Sequence, residues 1–256
     1  MIVLDHSVDQ RETEDLRRQA GGEAILDLTV DPPAIQLRSQ GFVLDERQPS
    51  RKQRVAVRSF DLLASALGII LLSPVFLLTG LLVGLSSRGA VVYRSKRIGK
   101  GASQFSAFKF RSMSHDAEAR LEAMLDDDPV AREEYERYHK LRRDPRVTKV
   151  GRFIRRTSLD ELPQLFNVLT GDMSLVGPRP NLLDEVDRFG PAIDTVLRVK
   201  PGLTGLWQVS GRSNLGFDER IMLDIDYALN RTLGGDVVIC LRTVGQMVAT
   251  GDNGAY

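Results

Sequence analysis

Two adjacent carboxylates beside two arginines are the densest concentration of chemistry in this chain of 256 residues. They lie in Arg155-Arg156-Thr157-Ser158-Leu159-Asp160-Glu161-Leu162-Pro163-Gln164-Leu165. Ser158 and Glu161 have capping-box spacing. Leu162, Leu165, Phe166 and Leu169 recur at helical intervals, and Gly171 stands where the element would close. Pro163 fits a helix only near its first turn. The pattern predicts a helix starting at residues 158 to 160, with Asp160 and Glu161 at its N-terminus. Free N–H groups and the helix dipole favour negative charge there, and Arg155 and Arg156 add two cations. Such a place suits a phosphate and keeps Asp160 ionised, as a carboxylate nucleophile requires. Adjacent carboxylates can divide the work, one as nucleophile and the other as base or as ligand to a hard cation such as Mg²⁺. The same residues also read as a plain helix cap, and alone they do not separate the two readings.

Two further segments are built to hold side chains still. In Leu175-Val176-Gly177-Pro178-Arg179-Pro180, Pro178 and Pro180 restrict the backbone around Arg179, which suits a bidentate phosphate contact or a surface turn. Lys200-Pro201-Gly202-Leu203-Thr204-Gly205-Leu206-Trp207-Gln208-Val209-Ser210-Gly211-Arg212 carries the only tryptophan and two cations in a turn-rich stretch. Cys240 is the only cysteine, so no internal disulfide can form, and it reads as a small buried hydrophobe. His6, His115 and His139 lack zinc-site spacing. Lys and Arg total 35 against 34 Asp and Glu. Net charge therefore says little about partners, and no nucleic-acid polymer is expected.

The elements that must position these groups fall into three zones: a polar extension over 1–50, a membrane segment over 51–89 and a catalytic domain over 90–256. The extension has no long apolar run of the signal-peptide kind; Ala24 to Val30 reads as a short strand or as part of a loosely folded tail. From Leu62 to Leu85 no side chain is charged, a length that can cross a bilayer as a helix. Ser73-Pro74 interrupts it, and the proline predicts a sharp kink, with the serine able to satisfy a freed carbonyl. Basic residues flank both ends: Arg54 and Arg58 before, Arg88, Arg94, Lys96 and Arg97 after. On pattern alone a spanning helix is preferred over a re-entrant helix-break-helix or a buried core helix, although re-entry would keep both basic clusters on one side. Beyond it, the pattern predicts an α/β domain. Val91 to Tyr93 and Gln104 to Phe110 read as strands joined by a turn at Ile98 to Gly101, and Ala117 to Lys140 as helix broken at Asp128-Pro129.

Taken in order, these segments resemble the monotopic phosphoglycosyl transferases, a bacterial sugar transferase family. The resemblance runs from about Arg51 to Tyr256. It rests on the apolar segment with Ser73-Pro74, Lys109-Phe110-Arg111-Ser112-Met113, Asp144-Pro145-Arg146-Val147-Thr148, Ser158 to Asn167, Gly171-Asp172-Met173-Ser174, Val176 to Pro180, Gly202 to Gly205 and Trp207 to Arg212. The ending Gly254-Ala255-Tyr256 is similar to members that transfer glucose- or galactose-1-phosphate. The chain departs from the family pattern at Gly101-Ala102-Ser103-Gln104, which lacks an Asn-Gly-like turn, and at Lys200, where arginine is frequent.

The resemblance implies a re-entrant helix in the cytoplasmic leaflet of the bacterial inner membrane, amphipathic helices at the membrane surface, and a catalytic domain facing the cytoplasm. Asp160 would attack the β-phosphate of a UDP-sugar, UMP would leave, and undecaprenyl phosphate would take the phosphosugar as the first membrane step of exopolysaccharide synthesis. Glu161, with Asp160, would hold Mg²⁺. Arg155 and Arg179, then Lys109 and Arg111, would hold phosphates; Pro178, Pro180, Arg212 and Asp224 complete the expected substrate site. A homodimer is compatible with the resemblance. A UDP-N-acetylated sugar as donor, a membrane scaffold without chemistry, or a Mg²⁺-dependent phosphatase using the same Asp160–Glu161 pair are the alternatives.

Overall fold

A computed structural model describes residues 50–138, 141, 144–190, 192–211 and 215–249. The expectations for residues 24–30, for Arg212 and for the last three residues lie outside them.

The apolar segment is two helices. Helix α1 (Arg51–Leu71) is N-capped by Ser50, whose hydroxyl accepts from Gln53 N at 3.1 Å. Helix α2 (Ser73–Ser86) follows after a bend of 63°. The kink falls where Pro74 withdraws an amide, and Ser73 Oγ donates to Ile70 O at 2.8 Å, filling one freed carbonyl. Among the described residues no single helix is long and apolar enough to cross a membrane, but this bent pair is, by length and composition.

One face of the pair packs on the domain. Asp61, 2 % exposed, accepts from Ser174 Oγ and from Leu175 N at 2.9 Å. Arg58 donates to the carbonyls of Val168 and Leu169 at 2.6 and 2.7 Å, satisfying the end of a domain helix. Phe76 of α2 stacks edge-on against Phe110 and Phe166. The opposite face bares Leu63, Leu67, Ile70, Leu77, Leu81 and Leu85.

Strands β1 (Val92–Ile98) and β2 (Gln104–Phe110) form an antiparallel hairpin, with Tyr93 opposite Lys109 and Arg97 opposite Phe105. β2 has the bounds its sequence pattern predicts; β1 runs five residues beyond Tyr93, through a charged stretch that alternation leaves half out. The turn is a short 3₁₀ segment, and Ala102 adopts a positive φ of 60° in it, a backbone that an Asn-Gly turn would hold with less strain. Helices α3 (Ala117–Asp127) and α4 (Pro129–Tyr138) break at Asp128, whose carboxylate caps the N–H groups of Val130 and Ala131. Then come α5 (Lys149–Arg156), α6 (Gln164–Thr170), β3 (Ser174–Val176), α7 (Ala192–Val196), β4 (Gly202–Thr204), α8 (Leu206–Ser210), α9 (Phe217–Asn230) and α10 (Leu233–Ala249). β3 and β4 pair in parallel. Leu165, Val168, Met173, Val176, Tyr227 and Ile239 form the core between them, joined by Phe60 and Ala64 of α1.

The helix expected to start at Ser158 starts at Gln164 instead, and the capping box is absent. Ser158 sits at φ 57°, ψ 16° and makes no side-chain cap bond; Leu159–Glu161 is one turn of 3₁₀ helix, and Pro163 precedes α6. An N-cap residue needs an extended backbone, and left-handed Ser158 does not have one, so its hydroxyl caps no amide. Asp160 and Glu161 therefore lie on a tight turn between α5 and α6. Gly171 does close α6, at φ 95°.

Candidate active site

Three anchors set this turn. Asn167 of α6, wholly buried, donates from Nδ2 to Ser106 O and accepts from Phe108 N at 2.8 and 2.9 Å, fixing α6 against β2. That register brings Lys109 of β2 to Glu161, with Nζ 2.7 Å from Oε1. On the other side, α5 lies against the chain after β2. Thr148 N donates to Ser112 O at 3.1 Å, and a Cβ on Gly151 would stand only 1.9 Å from that same oxygen, so glycine permits the approach. Ser112 Oγ then accepts from Arg155 Nε at 2.8 Å. Asp160, on the turn that these anchors set, feels the charges of Glu161, Lys109 and Arg155.

The two carboxylates are in different electrostatic states. Burial pushes Asp160 up to about 6, with the neighbouring Glu161 charge adding to the shift and Lys109 and Arg155 opposing it. Burial pushes Glu161 up as well, but Lys109, Arg179 and Arg97 outweigh it and hold the carboxylate below its usual range. Glu161 is thus a fixed anion, while Asp160 is a carboxylate of raised basicity with no salt bridge among the described residues. Burial lowers the pKa of Arg155, opposed by Asp160 and Asp144. Asp144 is itself clamped by Arg146, Oδ2 to Nη2 2.7 Å.

A small cleft opens beside this turn, lined by Arg97, Lys109, Glu161, Gln164, Arg179 and Gln208 among others. Pro178 and Pro180 are buried while Arg179 between them is exposed. Pro178 O accepts from Gly202 N at 2.8 Å, and Pro180 O accepts from Arg97 Nη1 at 3.2 Å, so the rigid Pro-Arg-Pro segment is pinned at both ends. Asp224 of α9 is 4 % exposed, its Oδ1 has no hydrogen-bond partner, and burial pushes it up to about 8 against the pull of Arg179.

The structure therefore brings Asp160, Glu161, Lys109 and Arg155 together, with Arg179, Pro180 and Asp224 around them. Arg111 is placed elsewhere: its guanidinium donates to the carbonyls of Ser87 and Ala90, where the chain leaves α2. Ser73 and Pro74 lie at the kink between α1 and α2. Three cleft residues, Arg97, Gln164 and Gln208, escape sequence reasoning. Arg97 reads as a membrane-flanking cation, and its inward direction follows from its position on β1, which only the pairing with β2 establishes.

Among the described residues no group of three or more His, Cys, Asp or Glu side chains could hold a metal. Two adjacent carboxylates, Asp160 and Glu161, would fit Mg²⁺, which typically takes one or two carboxylates plus substrate phosphates and waters.

Opposed carboxylate states beside a cluster of arginine and lysine form an arrangement that suits phosphate-ester chemistry. The chain belongs to the bacterial sugar transferase family, whose model matches residues 52–250. It is 46 % identical over 206 residues to the undecaprenyl-phosphate galactose phosphotransferase of Salmonella typhimurium, covering 80 % of this chain and 43 % of that protein. It is 45 % identical over 190 residues to the exopolysaccharide production protein ExoY of Rhizobium meliloti, covering 74 % of this chain and 84 % of that protein. The UDP-glucose:undecaprenyl-phosphate glucose-1-phosphate transferase of Escherichia coli is 37 % identical over 199 residues, covering 75 % and 40 %. The chain thus spans less than half the length of two of these relatives and most of the third.

Proposed function

We propose that the chain transfers hexose-1-phosphate, glucose or galactose, from a UDP-sugar to undecaprenyl phosphate at the cytoplasmic face of a bacterial inner membrane. The observation that carries this reading is Asp160: a buried carboxylate of raised basicity, beside a Glu161 pinned by Lys109, at the edge of a cleft lined by Arg97 and Arg179. The names of the relatives, which specify galactose and glucose transfer to this lipid, support the substrates.

In this reading the Arg97, Arg179 and Lys109 cations draw charge from the pyrophosphate and lessen its repulsion of an incoming carboxylate. An Asp160 oxygen forms a bond to the β-phosphorus as the bond from that phosphorus to the bridging oxygen breaks. UMP departs with the bridging oxygen, leaving the phosphosugar on Asp160. A phosphate oxygen of the lipid then attacks the same phosphorus and releases the Asp160 carboxylate. Asp160 and Glu161 would hold Mg²⁺, which when bound supplies further neutralisation of phosphate charge. The bared leucine face of α1 and α2 would lie in the lipid, re-entrant at the Ser73-Pro74 kink, and the apolar outer face of α10, with Val237, Leu241 and Val244, would rest on the membrane surface.

The test is exchange of labelled UMP into UDP-sugar without lipid acceptor. Wild type should catalyse it and Asp160→Asn should abolish it, while Glu161→Gln should slow it. Transfer that proceeds only when both substrates are bound, with no exchange, would overturn the covalent step. For topology, single cysteines before Phe60 and after Leu85 should both resist an impermeant thiol reagent in whole cells; labelling of one end alone means a spanning helix.

A further inference from the structure

A second, charged cleft lies where the chain emerges from α2. It is lined by Ser87, Arg88, His115, Arg146, Lys149 and Arg152, together with other residues of the loop after β2 and the start of α5. Arg146 is neutralised by Asp144, and the neighbouring Arg120 by Asp116. Arg88, Lys149 and Arg152 are exposed and, among the described residues, no carboxylate pairs with any of them. Three unbalanced cations thus converge on one concave surface. Ser87 Oγ at its wall is buried without a hydrogen-bond partner, and so is Nε of Arg111, whose other nitrogens hold the Ser87 and Ala90 carbonyls. The surface is concave and cationic, with the unspent hydroxyl of Ser87 at its wall, which is the chemistry of a phosphate receptor.

Its position selects the source of the phosphate. Ser86 and Ser87 end the bent apolar pair, so if that pair enters a bilayer, the cleft stands at the level of the lipid headgroups, where cations near an anionic leaflet are attracted to it. We propose that this cleft is a headgroup site for an anionic phospholipid, separate from the acceptor lipid's place at Asp160, and that it sets the height of the catalytic domain above the membrane. The inference rests on the membrane reading above. The cleft is joined to the catalytic turn by α5: Lys149 and Arg152 lie on its outer side, while Arg155 at its end donates to Ser112 and acts on Asp160 through its charge.

The test is flotation of the purified full chain with vesicles at limiting lipid, using pure phosphatidylcholine and a seven-to-three mixture of phosphatidylcholine with phosphatidylglycerol. Wild type should float with both and partition more strongly to the anionic mixture. Lys149→Gln with Arg152→Gln should remove most of that gain, at roughly fivefold per cation, and leave the phosphatidylcholine level unchanged. Ser87→Ala should lower the gain without changing charge, an effect that diffuse attraction would not produce. Failure to float with phosphatidylcholine would sink the membrane reading itself. Flotation with no anionic gain, or a gain that survives the double substitution, would overturn the headgroup site alone. Loss of the gain on adding millimolar inorganic phosphate at constant ionic strength would mean a free-phosphate site, and would also overturn it.

Discussion

Lys109 Nζ and Glu161 Oε1 are 2.7 Å apart although 52 residues separate them in the chain, and this pair determines which of two adjacent carboxylates stays an anion. Without Lys109 the desolvation that both carboxylates suffer would fall on Glu161 as it does on Asp160. Lys109→Met should therefore lower UMP exchange by roughly 10²-fold and move the acid limb of its pH profile upward. Lys109→Arg should retain part of the rate. An unchanged profile in the methionine variant would remove Lys109 from the site's electrostatics.

Asp160 gives a second pH signature. With the carboxyl near 6, exchange should rise about tenfold per pH unit below that value and level off above it. The effect on stability has the opposite sign. An unfolded Asp titrates near about 3.9, so between that value and about 6 the native state binds more protons, and stability falls as pH rises across this window. Asp160→Asn should flatten that part of a thermal-melt profile. A wild-type profile already flat between these values would contradict the raised carboxyl.

Chelation by EDTA should stop exchange and Mg²⁺ should restore it, because Arg97, Arg179 and Lys109 have to offset two carboxylates as well as a pyrophosphate. Mg²⁺ should also move the acid limb of the rate profile to lower pH, by favouring ionised Asp160. Full turnover in EDTA would take the metal out of the mechanism.

Gly151 controls how near α5 comes to Ser112. Its alanine variant places a Cβ 1.9 Å from a backbone oxygen that cannot step aside, at a cost of about 1–3 kcal/mol or more. The melting temperature should drop by several degrees, and activity should fall further than stability alone explains, since Arg155 hangs on Ser112. Gly245→Ala is the control: a Cβ there meets nothing within 4 Å, and alanine in an exposed helix should be neutral or stabilising by up to about 1 kcal/mol.

Local chemistry made much of the framework legible in the sequence. Pro74 forces the break between α1 and α2 whatever surrounds it, the aromatic-rich run from Gln104 to Phe110 suits a short strand, and Asp128-Pro129 divides α3 from α4. The Asp160–Glu161 pair and its neighbouring arginine were visible for the same reason: they are adjacent in the chain. Only the tertiary structure decided what those groups do. Capping-box spacing at Ser158 was overridden when the chain turned left-handed to close the gap between α5 and α6. The ion pair that holds Glu161, the serine that holds Arg155 across 43 residues and the inward turn of Arg97 depend on which strand and helix faces meet. Spacing along a chain encodes a residue's face on its own element; it does not encode which element that face will meet, and the difference between the two carboxylates arises from that meeting.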